Sequence, residues 1–173
     1  MRNFGLGVFV AMVFSAGVAF TAQKAPSNDQ VLREARDRAE IEDLMWRYAR
    51  ALDTGNGEAY AAVYTPDGQF GTGATATKGT EALKRLAGGQ PRTPAPGAAA
   101  APARPPMYHM HANHAITFTD KDHARMDAYY ITARAAGGQD QPLQVLAVGR
   151  SVDELVRLNG KWLIQVRNVQ PTN

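Results

Sequence analysis

Apolar residues recur at spacings of three and four through Ile41, Leu44, Met45, Tyr48, Ala49 and Leu52, the period of a helix with one buried face. Ser27 is a good capping residue ahead of that pattern, Asp29 suits its first turn, and the pattern ends at Asp53, where Thr54-Gly55-Asn56-Gly57 breaks it. The spacing of Ala59, Ala62 and Val63 predicts a short second helix over 58–64, stopped by Pro66-Asp67-Gly68. A short strand follows over 69–71. A third helix is predicted from Lys78-Gly79-Thr80 through Ala82, Leu83 and Leu86 to Gly88-Gly89.

The pattern then changes. Residues 90–106 are a run of Pro, Ala and Arg with no periodicity, which reads as an extended insertion, a lid over a pocket mouth being one use for it. Beyond it the alternation is that of strands: 107–119, a turn at Asp120-Lys121-Asp122, 124–134, a Gly137-Gly138 loop, then 143–150 and 152–158. An Asn159-Gly160 turn, a strong hairpin signal, leads into a last strand over 161–169. Helices first and antiparallel strands afterwards predict an α+β fold, with helices packed on one face of a curved, mainly antiparallel sheet. Strict alternation puts His109, His111 and Asn113 on one face and His114 on the other. It also groups Arg125 with Asp127, and sets Leu163, Gln165 and Arg167 opposite Trp162, Ile164 and Val166, which read as core.

At 173 residues and 45% hydrophobic, the chain suits one domain over about residues 27–170. Arg2 ahead of an apolar run from Phe4 to Phe20 reads as a secretory signal over residues 1–22, with cleavage after Ala22 or near Ala19 or Ala25. The expectation is export to the periplasm or outside the cell, without stable membrane association once the signal is removed. An uncleaved anchor is the alternative, since the run is about as long as the shortest spanning helices of roughly 17 residues. No cysteine is present, so disulfides, thiolate metal sites and a cysteine nucleophile are excluded. The net charge of +3 is spread over residues of both signs, as in Arg33, Glu34, Arg36, Asp37, Arg38 and Glu40. Such interleaving fits solvated helix faces and gives no stripe for nucleic acid.

An acid at the exit of a helix and an imidazole on a distant strand are the parts of a general base, provided the fold unites them. Asp53 accepting the Nδ1 proton of His109 would leave Nε2 free to take a proton from carbon. Tyr48 is a hydrogen-bond donor for a substrate oxygen. Against this stands the plain reading of each: Asp53 as a helix-end residue, Tyr48 as core, His109 as a solvated strand histidine. His109 and His111 form a His-x-His pair of the kind that binds metal, with Asp127 or Asp53 as a third ligand, but no closely spaced further His or Glu completes the set.

The run from Asp37 to Asn56, then Tyr64-Thr65-Pro66-Asp67-Gly68, His109 with Asn113 four residues on, and Asn159-Gly160-Lys161-Trp162 before Arg167, resemble the SnoaL-like branch of the nuclear-transport-factor-2-like superfamily. Scytalone dehydratase, ketosteroid isomerase, bile acid 7α-dehydratase and hexachlorocyclohexane dehydrochlorinase belong to it. The resemblance implies a cone-shaped roll with a deep pocket between helices and sheet. It implies catalysis by His109, Asp53 and Tyr48 without cofactor or metal, and a pocket lined by His111, Asn113, Asp127 and Arg167. The expected function is a dehydratase-like lyase or isomerase for a small cyclic carbonyl or hydroxyl compound. The alternative is a non-catalytic ligand-binding or dimerisation module of the same fold. Association into dimers or trimers is implied by the resemblance alone.

Overall fold

The computed structural model describes residues 25–88, 106–135 and 142–170. The predicted export signal, nearly all of the Pro/Ala-rich insertion and the Gly137-Gly138 loop lie outside them. Helix α1 spans Asn28–Thr54, with the Ser27 side chain accepting from the Gln30 amide. It ends on Gly55, whose left-handed backbone (φ 65°) returns its N–H to the helix, a geometry that favours glycine. Helix α2 (Gly57–Ala61) is shorter than the spacing predicts. The residues after it enter strand β1 (Tyr64–Phe70), which runs through Pro66-Asp67-Gly68, where the residue types predict a stop. The Pro is tolerated because β1 pairs irregularly, its register to the neighbouring strand shifting between Tyr64 and Gln69. A two-residue strand, β2 (Thr77–Lys78), and helix α3 (Thr80–Gly88) follow.

Four long strands complete the sheet: β3 (Met107–Phe118), β4 (His123–Ala135), β5 (Leu143–Leu158) and β6 (Lys161–Asn168). The two strands predicted over 143–158 are one. Asn159 and Gly160 both have positive φ, 52° and 77°, as the tight turn between β5 and β6 requires. The order is β2-β1-β6-β5-β4-β3, antiparallel throughout except for β1 beside β6. The helices pack on one face of this open, curved sheet.

Register breaks, not simple alternation, decide which residues face the helices. In β3, pairing to β4 shifts between Ala112 and Ala115, and Asn113 sits there with φ 56°. Asparagine is one of the few residues that adopts this conformation at low cost. The bulge inverts the alternation, so Asn113 is exposed and His114 turns to the covered side with His109 and His111. In β6, Leu155 pairs with Ile164 while Glu154 pairs with Val166, leaving Gln165 as the extra residue. Trp162 and Ile164 therefore point into the core as expected, but beyond Gln165 it is Arg167 that is buried and Val166 that is only partly covered.

The core joins Ile41, Leu44 and Met45 of α1 to Met126, Leu155, Trp162 and Ile164 of the sheet. Its closed end is sealed by two arginines. Arg38 donates to the Ile116 carbonyl at 2.7 Å and lies over Phe118. Arg157 stacks on Trp162 and pairs with the buried Asp37, with Glu40 and Asp122 further out. Removing one partner of a buried pair strands the other's charge, so Arg157→Ala should lower unfolding free energy by about 3 kcal/mol in urea melts. Arg157→Lys should recover little of it, because the planar stack on Trp162 is lost as well.

Candidate functional site

The fold unites the acid and the imidazole. His109 Nδ1 lies 2.8 Å from Asp53 Oδ1, and the same oxygen accepts the His109 backbone N–H at 2.9 Å. Among the described residues strand β3 is the edge of the sheet, and there the end of α1 supplies a partner. A carboxylate in the last turn of a helix is disfavoured by the helix dipole by roughly 0.3–1 kcal/mol. Two charge-assisted bonds to His109 more than offset that cost. Arg50, at 3.9 Å from Oδ2, adds a weaker contact.

Behind this pair runs a second polar chain. Arg167 is fully buried and forms a cross-strand pair with Asp153, Nη1 to Oδ2 at 2.7 Å. Ser151 donates to the same Asp153 oxygen at 3.3 Å. The other guanidinium nitrogen, Nη2, lies 3.0 Å from His111 Nδ1, and the guanidinium carbon sits 4.3 Å above the Tyr48 ring. Tyr48 in turn packs edge-on to His111 and against Tyr60 and Tyr64, whose hydroxyls are 2.9 Å apart. Burial above all, then the neighbouring Tyr48, holds the Tyr60 and Tyr64 phenols well above their ordinary range, so both stay protonated.

These groups border a cavity of about 290 Å³ whose wall includes Tyr48, Tyr60, His109, His111 and Arg167 among apolar Leu52, Phe70, Leu86 and Val169. Strand register builds its floor, since His109 pairs with Thr132, which pairs in turn with Ala147, and His111 pairs with Tyr130, which pairs with Gly149. Gly149 is needed there because any Cβ would meet the Tyr130 ring, which lies across it and bonds to the Val169 carbonyl. A second hollow of about 310 Å³ opens on the other side of His109, between Asp53, Leu86 and Arg134. Larger hollows lie beside the start of α1 and beside Glu40 and Trp162, but they are surface grooves without an imidazole. A few convergent polar groups in an otherwise apolar cavity are what a small-molecule site requires.

The structure thus places Tyr48, His109, His111 and Arg167 on the cavity, with Asp53 bonded behind His109. It does not bring Asn113 or Asp127 there. Asn113 is turned out by the β3 bulge, and Asp127 lies on the outer face of β4, bonded to Arg125 at 3.0 Å. Asp153 belongs to the site and is absent from the residues that the sequence singles out, although an acid two residues after Ser151 in a Val- and Leu-rich strand carries the alternation of an inward position. Among the described residues no three of His, Asp and Glu are grouped to hold a metal ion, and no helix is long and apolar enough to cross a membrane.

A SnoaL-like domain profile matches residues 33–168, most of the chain and all of this site. The chain belongs to the SnoaL-like domain family. No curated protein matches it in a sequence search. Among solved structures, this SnoaL-like chain is similar to a protein of unknown function from Mycobacterium tuberculosis, at 22% identity and a TM-score of 0.66, over 83% of this chain and 76% of that one. It is also similar to a candidate scytalone dehydratase from Novosphingobium aromaticivorans, at 19% identity and a TM-score of 0.64, over 83% and 89% of the two chains. A Catenulispora acidiphila protein in complex with S-DNPA shares 29% identity, with a TM-score of 0.59 over 77% and 91%. These likenesses establish the fold, which is that of nuclear-transport-factor-2-like proteins.

The site also leaves a mark on stability. Burial first, then the Arg167 charge and those of His109 and His114, lowers the His111 pKa to about 3. From pH 6.5 downward the unfolded chain therefore binds a proton that the folded chain refuses, and folding loses about 1.4 kcal/mol per pH unit from this residue. Asp153 works the other way. Burial pushes its carboxyl up to about 6 against the pull of Arg167, so over roughly pH 4–6 the folded chain holds a proton that the unfolded chain has lost. In the native chain the two slopes oppose each other over that range. In His111→Gln only the Asp153 slope remains, so urea melts at pH 7 and pH 4 should show the variant gaining on the native chain by about 1.4 kcal/mol per pH unit on acidification.

Proposed function

We propose that the chain is a cofactor-independent lyase or isomerase of the dehydratase type, acting on a small cyclic carbonyl or hydroxyl compound. The observation that carries this reading is Asp53 Oδ1 holding both the backbone N–H and Nδ1 of His109. Accepting from Nδ1, the carboxylate fixes the tautomer that leaves Nε2 bare, and it stabilises the imidazolium formed when Nε2 takes a proton from carbon. Tyr48, on the cavity wall, supplies a hydrogen bond to the carbonyl or departing hydroxyl. Arg167 brings positive potential to the same wall, and the apolar side chains strengthen it by excluding water.

A general base of this kind contributes about 10²–10⁴-fold. His109→Ala should therefore cut deuterium incorporation next to the carbonyl of a bound cyclic ketone by that factor, read by NMR in heavy water. Asp53→Ala should act in the same direction, and Tyr48→Phe should slow exchange without abolishing it. A native chain that binds such ketones and exchanges none of their hydrogens is a ligand-binding module and not an enzyme.

Self-association has its own support. The outer face of the sheet carries a row in which Met110, Ile131 and Val148 are in register across β3, β4 and β5, with Tyr108, Tyr129 and Val145 around it. All are exposed, Val148 at 67%. Apolar patches of this kind are uncommon on monomers, and we infer that a second copy covers this one. Sedimentation should show the native chain as an oligomer and Val148→Lys as a monomer with unchanged circular dichroism. A monomeric native chain sinks the idea.

A further inference from the structure

The bond between Arg167 and His111 fixes a proton as well as a position. A guanidinium has only donors, so the Nδ1 of His111, 3.0 Å from Nη2, accepts, and the neutral ring carries its hydrogen on Nε2. That Nε2 is buried with no hydrogen-bond partner among the described residues, on a ring that lines the cavity. An unmet buried donor is destabilising, a cost that a ligand oxygen would relieve. Two residues earlier on the same face, His109 gives its Nδ1 hydrogen to Asp53 and has a bare Nε2. One strand therefore carries two imidazoles of opposite tautomer, each set by a partner of opposite charge.

We propose that His111 is a second hydrogen-bond donor of this site besides Tyr48, giving its Nε2–H to a ligand oxygen beside the basic Nε2 of His109, and that the histidine pair selects compounds with a carbonyl oxygen next to an acidic C–H. The substrate choice rests on the base reading above; the donor assignment does not. In the shared step, His109 Nε2 takes the proton from carbon and the C–H electron pair becomes a C=C bond. The carbonyl π pair moves to oxygen, and that oxygen strengthens its bond to His111 as charge develops. The oxygen pair then re-forms the carbonyl. Where a β,γ double bond is conjugated with the enolate, its π pair takes the proton from His109 at the γ-carbon and an isomer results. Where a β-hydroxyl is present, its C–O bond breaks and the leaving hydroxide takes that proton, giving water and an α,β-unsaturated carbonyl compound. Burial next to Arg167 keeps His111 neutral, with Nδ1 free to accept from the guanidinium and the one ring hydrogen on Nε2.

Ring nitrogen NMR on the whole chain at pH 7 reads the two histidines separately. His111 should carry one hydrogen, on Nε2, and His109 one, on Nδ1. His111 with its one hydrogen on Nδ1, which leaves Nε2 bare, overturns the donor whatever His109 shows. A wrong tautomer at His109 alone overturns the base and leaves the donor standing. Binding of acetophenone and of α-methylstyrene, alike in shape but differing in the oxygen, supplies the second arm. His111→Phe should weaken acetophenone by about tenfold and leave α-methylstyrene unchanged, while His111→Gln, which retains an N–H, should recover most of the loss. Equal effects on both compounds, no recovery in His111→Gln, or no binding of acetophenone to the native chain overturns the proposal.

Discussion

The site is organised around a guanidinium that has no access to water. Arg167 is fully buried, and a charge so placed is costly unless an opposite charge and hydrogen-bond acceptors accompany it; both terminal nitrogens have such partners, while Nε has none among the described residues. Asp153 meets the charge from the neighbouring strand, His111 takes a second donor, and the Tyr48 ring covers the face. Each of these partners is fixed in turn. Asp153 is placed by the β5–β6 register, His111 by the β3–β4 register and Tyr48 by the buried stripe of α1. The demand of one cation thus ties the helix to three strands at the boundary between apolar core and cavity.

That boundary explains how two imidazoles two residues apart come to differ. Both face the helices, but one meets a carboxylate at the end of α1 and the other a cation inside the sheet. His109 is given a hydrogen-bond acceptor and so becomes an acceptor at its far nitrogen. His111 is given a donor and so becomes a donor there. Chain spacing alone makes the pair look like a metal site, whereas the charge of each neighbour assigns them separate parts in proton chemistry.

Much of this arrangement is legible in the order of residues. The helical stripe, the Ser27 cap, the Gly55 stop and the Asn159-Gly160 turn are local signals, and each appears where the residues put it. The link between Asp53 and His109 is legible through the family resemblance, since taken alone a helix-end acid and a strand histidine each have a plainer reading. Pocket lining is less readable, because it depends on bulges. A single extra residue at Asn113 or Gln165 inverts every later side chain on its strand, and no periodicity within one strand announces it. Alternation alone therefore sends Asn113 inward and His114 outward, the reverse of where each lies. Most of strand β1 is hidden for a related reason: a parallel partner at the far end of the chain stabilises it, and that pairing overrides the turn propensity of Pro66-Asp67-Gly68.

The bulges do more than disturb a reading of the sequence. Without the one at Gln165, Arg167 would face outward and Val166 would take its place in the core, so the cation that polarises the cavity would be lost to solvent. Without the one at Asn113, the alternation set by His109 and His111 would turn His114 outward with Asn113 in its place, and would put Ala115 where Ile116 now packs in the core. Each bulge thus falls where a strand passes from cavity wall to packed core, allowing polar groups at one end and a continuous apolar face at the other. A sheet of perfect alternation could satisfy either region, but these two strands serve both, and the irregular residues are the cost of joining a reactive site to a stable core.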